Sequence, residues 1–187
     1  MIESLQTAAA LAAGFAADPA VAASVEQGAD LLANTIRAGG KVLVAGNGGS
    51  LCDAAHFAEE MTGRFRADRP PLPAIALADP GHLTCVANDY GFDEVFARAV
   101  LALARPGDAL ILLSTSGRSR NLLRALEAAH QQRVRTLALL GRGGGALSGR
   151  CDVEVLAPGD TADRIQELHM LVLHTWVELV EKRLGHA

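Results

Sequence analysis

The chain alternates short, mostly apolar runs with longer segments in which apolar residues return every three or four positions. The runs at 41–45, 74–77, 109–113, 135–140 and 153–156 are too short for helices and apolar through most of their length. Such runs predict strands buried on both faces. Helical spacing fills the gaps: Val21, Val25, Ala29, Leu32 and Ile36 fall on one stripe. Helices are predicted over 3–16 and 20–38, separated by Asp18-Pro19 and ended by Gly39-Gly40. Further helices are expected from Ser50 or Asp53, as cap, to about Phe65, from Leu83 through Asn88, and over 92–104, 119–131 and 161–184. Strands alternating with helices imply a three-layer α/β sandwich around a parallel sheet. No internal repeat or linker divides the chain, so a single domain over 1–187 is expected, with 1–38 a helical segment used in oligomerisation. The first and last helices carry wide apolar stripes (Ile165, Leu168, Leu171, Val172, Trp176, Leu179 and Val180 in the last). One sheet has too little surface to cover them, which predicts contacts with other subunits.

Half of the residues are apolar but only 4% aromatic, so the core is built from Ala, Leu and Val rather than around an aromatic-lined pocket. A net charge of −4 argues against a general nucleic-acid binder. Two local basic clusters remain, Arg64/Arg66/Arg69 and Arg118/Arg120/Arg124, as anion contacts or solvated helix faces. Cys52, Cys85 and Cys151 are widely spaced and form no paired-thiol or zinc-ribbon motif, which fits a reduced, cytoplasmic setting. The Ala-rich start carries Glu3 instead of a basic leader and breaks at Asp18-Pro19, so neither a signal peptide nor a membrane span is expected.

Two loops carry the candidate chemistry. Strand 41–45 runs into Gly46-Asn47-Gly48-Gly49-Ser50, and strand 109–113 into Ser114-Thr115-Ser116-Gly117-Arg118-Ser119. Both precede a helical pattern, so both sit at the carboxyl ends of parallel strands, where open α/β sheets bind ligands. Helix N-terminal amides with hydroxyls beside them suit a phosphate dianion. Neither loop has the ending of a nucleotide-triphosphate loop or the spacing of a dinucleotide fingerprint, so a phosphorylated small molecule is expected.

Beyond the first loop, His56 and Glu60 lie four residues apart on one helix face, ~9 Å of helical rise and more from Ser50. Glu59 is a rival carboxylate. In the last helix Gln166, Met170 and His174 share one stripe. His174 stands in an apolar run, where a hydrogen-bonded core histidine is the commoner outcome, and His169 beside Glu167 is expected to be exposed. Two His, a Glu and a Gln suit a borderline ion such as Zn²⁺. Gln166 and His174 are ~12 Å apart in rise, so a bend or a second subunit is needed for both to reach one ion.

Together these residues resemble the sugar-isomerase (SIS) domain family, and within it the bacterial phosphoheptose isomerases. The resemblance rests on the first loop, on Cys52-Asp53-Ala54-Ala55-His56-Phe57-Ala58-Glu59-Glu60, on Asn88-Asp89-Tyr90-Gly91-Phe92, on Ser114-Thr115-Ser116-Gly117, and on Asp163-Arg164-Ile165-Gln166-Glu167 with His174. It implies a flavodoxin-like five-stranded sheet and conversion of sedoheptulose 7-phosphate to D-glycero-D-manno-heptose 7-phosphate in heptose and lipopolysaccharide precursor synthesis. It also implies a homotetramer with active sites between subunits and one Zn²⁺ per subunit. The metal positions it implies are His56, Glu60, Gln166 and His174. The substrate positions are Asn47, Gly48, Gly49, Ser50, Glu60, Asn88, Asp89, Ser114, Thr115, Ser116, Ser119 and Gln166. Arg118 stands where the family pattern has Asn and is expected to face solvent.

An aldose–ketose isomerisation through an enediol needs a base at carbon and an acid at oxygen. Glu60 is the expected base and His174 its acid/base partner, with His174 expected to cross between subunits. Four protein ligands normally close a zinc site, so Glu60 is expected to exchange between metal and substrate. The alternative is a non-catalytic adaptor of the same fold that binds a replication initiator protein. As that adaptor is known, it lacks the positions of Glu60 and His174, whose presence favours the enzyme. A sugar-phosphate-sensing regulator would be expected to carry a DNA-binding module, for which this chain leaves no room.

Overall fold

The computed structural model describes residues 2–186; Met1 and Ala187, the ends of the expected 1–187 domain, lie outside the described residues. Helices α1 (Ile2–Ala17) and α2 (Pro19–Arg37) come first, and the Asp18 carboxylate caps α2 by accepting from the Ala20 amide. There follow β1 (Val42–Gly46), α3 (Gly49–Thr62), β2 (Ala74–Ala76), α4 (Pro80–Asp89), α5 (Val95–Leu103), β3 (Ala109–Ser114), α6 (Arg120–Gln131), β4 (Arg135–Gly141), β5 (Val153–Ala157) and α7 (Ala162–Leu184). The strands run in the order β2-β1-β3-β4-β5, and all four pairings are parallel. This is the flavodoxin-like arrangement.

Alternation along the strands builds two cores. Val42, Val44, Ile111, Leu113, Leu137 and Leu139 face one side, where Leu32, Phe57, Met61 and Trp176 of α2, α3 and α7 meet them. Leu43, Leu110, Leu112, Ala138 and Leu140 face the other, against Phe96, Val100, Leu122 and Leu126 of α5 and α6. The period-two pleat thus explains why these strands read as continuous apolar runs.

Several boundaries differ from expectation. Helix α3 stops at Thr62, before Phe65, because Gly63 leaves the helical region. Helix α4 begins at Pro80, capped by Asp79 through the His82 amide, rather than at Leu83. The helix expected over 92–104 is a 3₁₀ turn at Phe92–Glu94 followed by α5. The larger correction concerns α7. Ile165, Leu168, Val172, Trp176 and Val180 are buried within their own chain, so most of this stripe needs no second subunit. The first helix differs: only Phe15 is buried, while Ile2 and Leu5 are exposed. No single described helix is long and apolar enough to cross a membrane, and α1 and α2 meet that length and composition only as a pair bent by 74°.

Candidate active site

The strand order reverses between β1 and β3, and a parallel open sheet leaves a crevice at the carboxyl ends there. The first loop passes from β1 into α3 through Asn47 and Gly48 alone. Gly48 occupies the cap position at φ +57 with no side-chain cap bond, so neither Ser50 nor Asp53 is the expected cap. The turn is too tight for one: Ser50 already lies in the first helical turn, its amide bonded to the Asn47 carbonyl at 3.1 Å. The Ser50 hydroxyl instead accepts from the Gln166 Nε2 at 3.4 Å. A Cβ on Gly49 would stand 2.6 Å from that same nitrogen, so the amino-terminal part of α7 lies directly on the loop.

The second loop is fixed from behind. Ser114 Oγ accepts from the Gly117 amide at 2.9 Å, and Ser116 Oγ from the Arg118 amide at 3.3 Å. A Cβ on Gly117, at φ +61, would sit 1.7 Å from the Gly144 carbonyl oxygen. The glycine run after β4 therefore packs backbone against backbone on this loop, and the Leu147 amide donates to the Gly117 carbonyl at 3.1 Å. Thr115, Ser116 and Ser119 stay half-exposed at the mouth of the crevice, and Arg118 faces solvent as expected. Ser119 caps α6 by position without a side-chain bond.

The reactive cluster lies further along α3. His56 Nε2 and Glu60 Oε1 are 3.2 Å apart, with Glu60 the more enclosed of the two. The His174 ring on α7 meets the His56 ring at 5.2 Å between centroids, edge to face, and Phe65 covers it from another side at 5.8 Å. One ligand atom from each of His56, Glu60 and His174 falls within 4.8 Å of the others. Glu59 is exposed on the neighbouring face, and it is Glu60 that stands beside His56. His174 is half-buried at this cluster rather than in the core. All three residues belong to one chain, so His174 need not cross between subunits. Gln166, two turns earlier on α7, reaches the first loop instead; the ~12 Å of helical rise between it and His174 is accommodated by engaging opposite ends of the crevice.

The helix also carries Asp53, whose Oδ2 is buried with no hydrogen-bond partner. Burial pushes its carboxyl up to about 6, with nearby His56 working against that shift. His169 reverses its expectation. It falls four residues after Ile165 and four before Leu173, on the buried stripe of α7, and is 1% exposed. Its Nε2 donates to the Leu140 carbonyl at 3.2 Å, and burial lowers its pKa to about 4, so the ring is neutral.

Asn88 and Asp89 sit exposed at the end of α4, where Asn88 Nδ2 donates to Asp89 Oδ1 at 2.7 Å and Cys85 contacts Asp89 Oδ2 at 3.6 Å. Their side chains are not drawn to either loop of their own chain. The basic clusters are largely answered by carboxylates: Arg66 by Glu178, Arg120 by Asp93, Arg124 by Glu94 and Glu127. Arg69, expected to be a surface charge, is buried. It donates to Glu181 Oε1 at 2.7 Å and to the Glu60 and Met61 carbonyls at 2.7 and 2.8 Å, closing the end of α3. Reading the sequence also missed Asn121, which meets Asn47 through two amide hydrogen bonds. Its only signal was a polar residue one turn before Ala125 on the apolar face of α6.

A parallel sheet with hydroxyl-bearing loops at its switch point and an imidazole–carboxylate cluster one helix away defines a sugar-phosphate-binding α/β domain. The SIS domain family model matches residues 7–141. A phosphoheptose isomerase of Edwardsiella ictaluri is 51% identical over 172 residues, covering 91% of this chain and 89% of its own. One from Fusobacterium nucleatum is 54% identical over 157 residues, covering 84% and 81%. The solved structure of a phosphoheptose isomerase from Neisseria gonorrhoeae superimposes with a TM-score of 0.90 at 37% identity, covering 97% of this chain and 96% of that one. The chain belongs to the phosphoheptose isomerase family of SIS-domain proteins.

Proposed function

We propose that this chain is an enzyme that interconverts sedoheptulose 7-phosphate and D-glycero-D-manno-heptose 7-phosphate, supplying heptose precursors for lipopolysaccharide. The carrying observation is the meeting of His56, Glu60 and His174 beside two phosphate-type loops, in a chain about half identical to phosphoheptose isomerases. The loops hold the phosphate through the amides around Gly48–Ser50 and the hydroxyls of Thr115, Ser116 and Ser119, with the buried Ser114 fixing the second loop behind them. Glu60 removes the proton from C1 of the ketose and returns it to C2 of the enediol. His174 moves the accompanying proton between the C2 and C1 oxygens, so that carbonyl and hydroxyl exchange places with no net change in composition. The adaptor reading leaves the converging trio without a role.

Two imidazoles and a carboxylate within 4.8 Å, open to solvent, are a donor set that fits Zn²⁺. His56, Glu60 and His174 would hold the ion, while Gln166, the fourth expected ligand, lies against the first loop. When bound, such an ion supplies Lewis-acid polarisation of the substrate carbonyl. A homotetramer in the cytoplasm completes the proposal. It is supported by the exposed apolar side of α1 and by Asn88 and Asp89, whose exposed side chains can complete a neighbour's site.

Incubating the purified, metal-replete protein with sedoheptulose 7-phosphate should produce an aldose phosphate visible by NMR, lost on chelation and restored by Zn²⁺. Absence of product from folded, metal-replete protein overturns the reading; full activity in protein free of transition metal overturns the zinc assignment alone.

A further inference from the structure

The phosphate end of the crevice contains a polar contact that the reaction scheme does not use. Asn47 Nδ2 donates to Asn121 Oδ1 at 3.0 Å, and Asn121 Nδ2 donates to Asn47 Oδ1 at 2.8 Å. The two amides thus pair head to tail. Asn121 is 2% exposed, in the first turn of α6, directly after the second loop. Asn47 is the first residue of the first loop, directly after β1. The pair therefore joins the strand end of the first loop to the helix end of the second. An amide has one acceptor oxygen and two N–H donors; here the oxygen and one N–H of the half-buried Asn47 are already engaged by Asn121.

We propose that Asn47 and Asn121 form one positioning unit that sets the separation of the two phosphate-binding loops, and that Asn121, shut off from the crevice, acts through Asn47 rather than by touching substrate. Asn121 thereby becomes a positioning residue. The inference rests on the sugar-phosphate reading of the crevice and adds one residue to it. The physical ground is that the buried Asn121 amide is costly to leave without its partner, so the pair holds the two loops in a single place. Breaking the pair frees both loops at once, and the second substitution has little left to break.

A double-mutant cycle distinguishes this from direct contact. Asn47→Ala, Asn121→Ala and the double variant are compared by calorimetric binding of inorganic phosphate, which needs no turnover, and by kcat and KM with sedoheptulose 7-phosphate. Each single variant is expected to weaken phosphate binding and raise KM by roughly 10- to 100-fold, as expected for an orphaned buried amide. The double variant is expected to be no worse than the weaker single, and kcat to change far less than KM in all three. Asn121→Leu, which keeps the buried volume, is expected to match Asn121→Ala and serves if the smaller residue unfolds the protein. Effects that multiply in the double variant, or an Asn121 variant that binds phosphate like the parent, overturn the proposal while leaving the isomerase reading intact. A parent protein that neither binds phosphate nor isomerises the ketose overturns both.

Discussion

The two ends of the crevice are built in opposite ways. At the phosphate end the backbone itself is fixed: Gly117 lies so close to Gly144 that no side chain fits, and an amide pair ties one loop to the other. At the reactive end only side chains meet, projected from α3 and α7 onto an open surface with His56 about half exposed. The first end offers shape and fixed dipoles, which suit a group that does not change during the reaction. The second offers titratable atoms able to move protons. Substitutions should therefore separate into two kinds, those that change how tightly the phosphate is held and those that change how fast the bound sugar reacts.

The largest effects are expected at the reactive end. Glu60→Gln and His174→Gln should each lower kcat by about 10²–10⁴-fold, the usual loss when an acid or base is removed. Phosphate affinity and the melting temperature should hardly move. A matching rise in KM would place these residues in binding and blur the contrast.

Behind the site, Glu181→Gln should cost roughly 3–5 kcal/mol of stability, because it strands the buried Arg69 guanidinium that closes α3. Denaturant titration reads this directly; a loss below about 1 kcal/mol would mean that the carbonyl bonds of Arg69 suffice without the carboxylate. Overpacking makes Gly117→Ala a smaller change, about 1–3 kcal/mol, expressed mainly as weaker phosphate binding.

The smallest effect concerns pH. His169 has its pKa lowered from 6.5 to about 4 by burial, so between those values the unfolded chain binds the proton more readily. Its contribution is therefore a stability that rises with pH across that window and levels off above it. Asp53 works the other way: its raised pKa makes stability fall as pH rises from 3.8 to about 6. His169→Gln should remove the rising part only, seen as a steeper loss of stability with pH than in the parent. An unchanged pH profile would show that the ring carries no such linkage.

Much of this architecture was legible in the pattern of apolar residues. Five short runs and their intervening helical stripes led to the right sheet, because strands buried on both faces leave little freedom in composition. The loops and the His56–Glu60 face were legible for the same reason, being local in sequence. Contacts between distant segments were not. The fate of His169 depended on a one-residue rotation around α7 relative to His174, which the flanking residues obscured. Arg69 and Glu181, or Asn47 and Asn121, are polar residues that become interior only once two helices or two loops have been brought together. The meeting of His174 with His56 inside one chain likewise depended on how α7 crosses α3.

That meeting is the central claim, and mixing subunits tests it most directly. Glu60→Gln and His174→Gln proteins, each inactive, are unfolded together, refolded as mixed assemblies and assayed with sedoheptulose 7-phosphate. If one chain supplies both groups, every site in the mixture lacks one of them and activity stays at the level of the single variants. Recovery of a substantial fraction of the parent's activity would show that the base and its partner come from different subunits, contradicting the single-chain site.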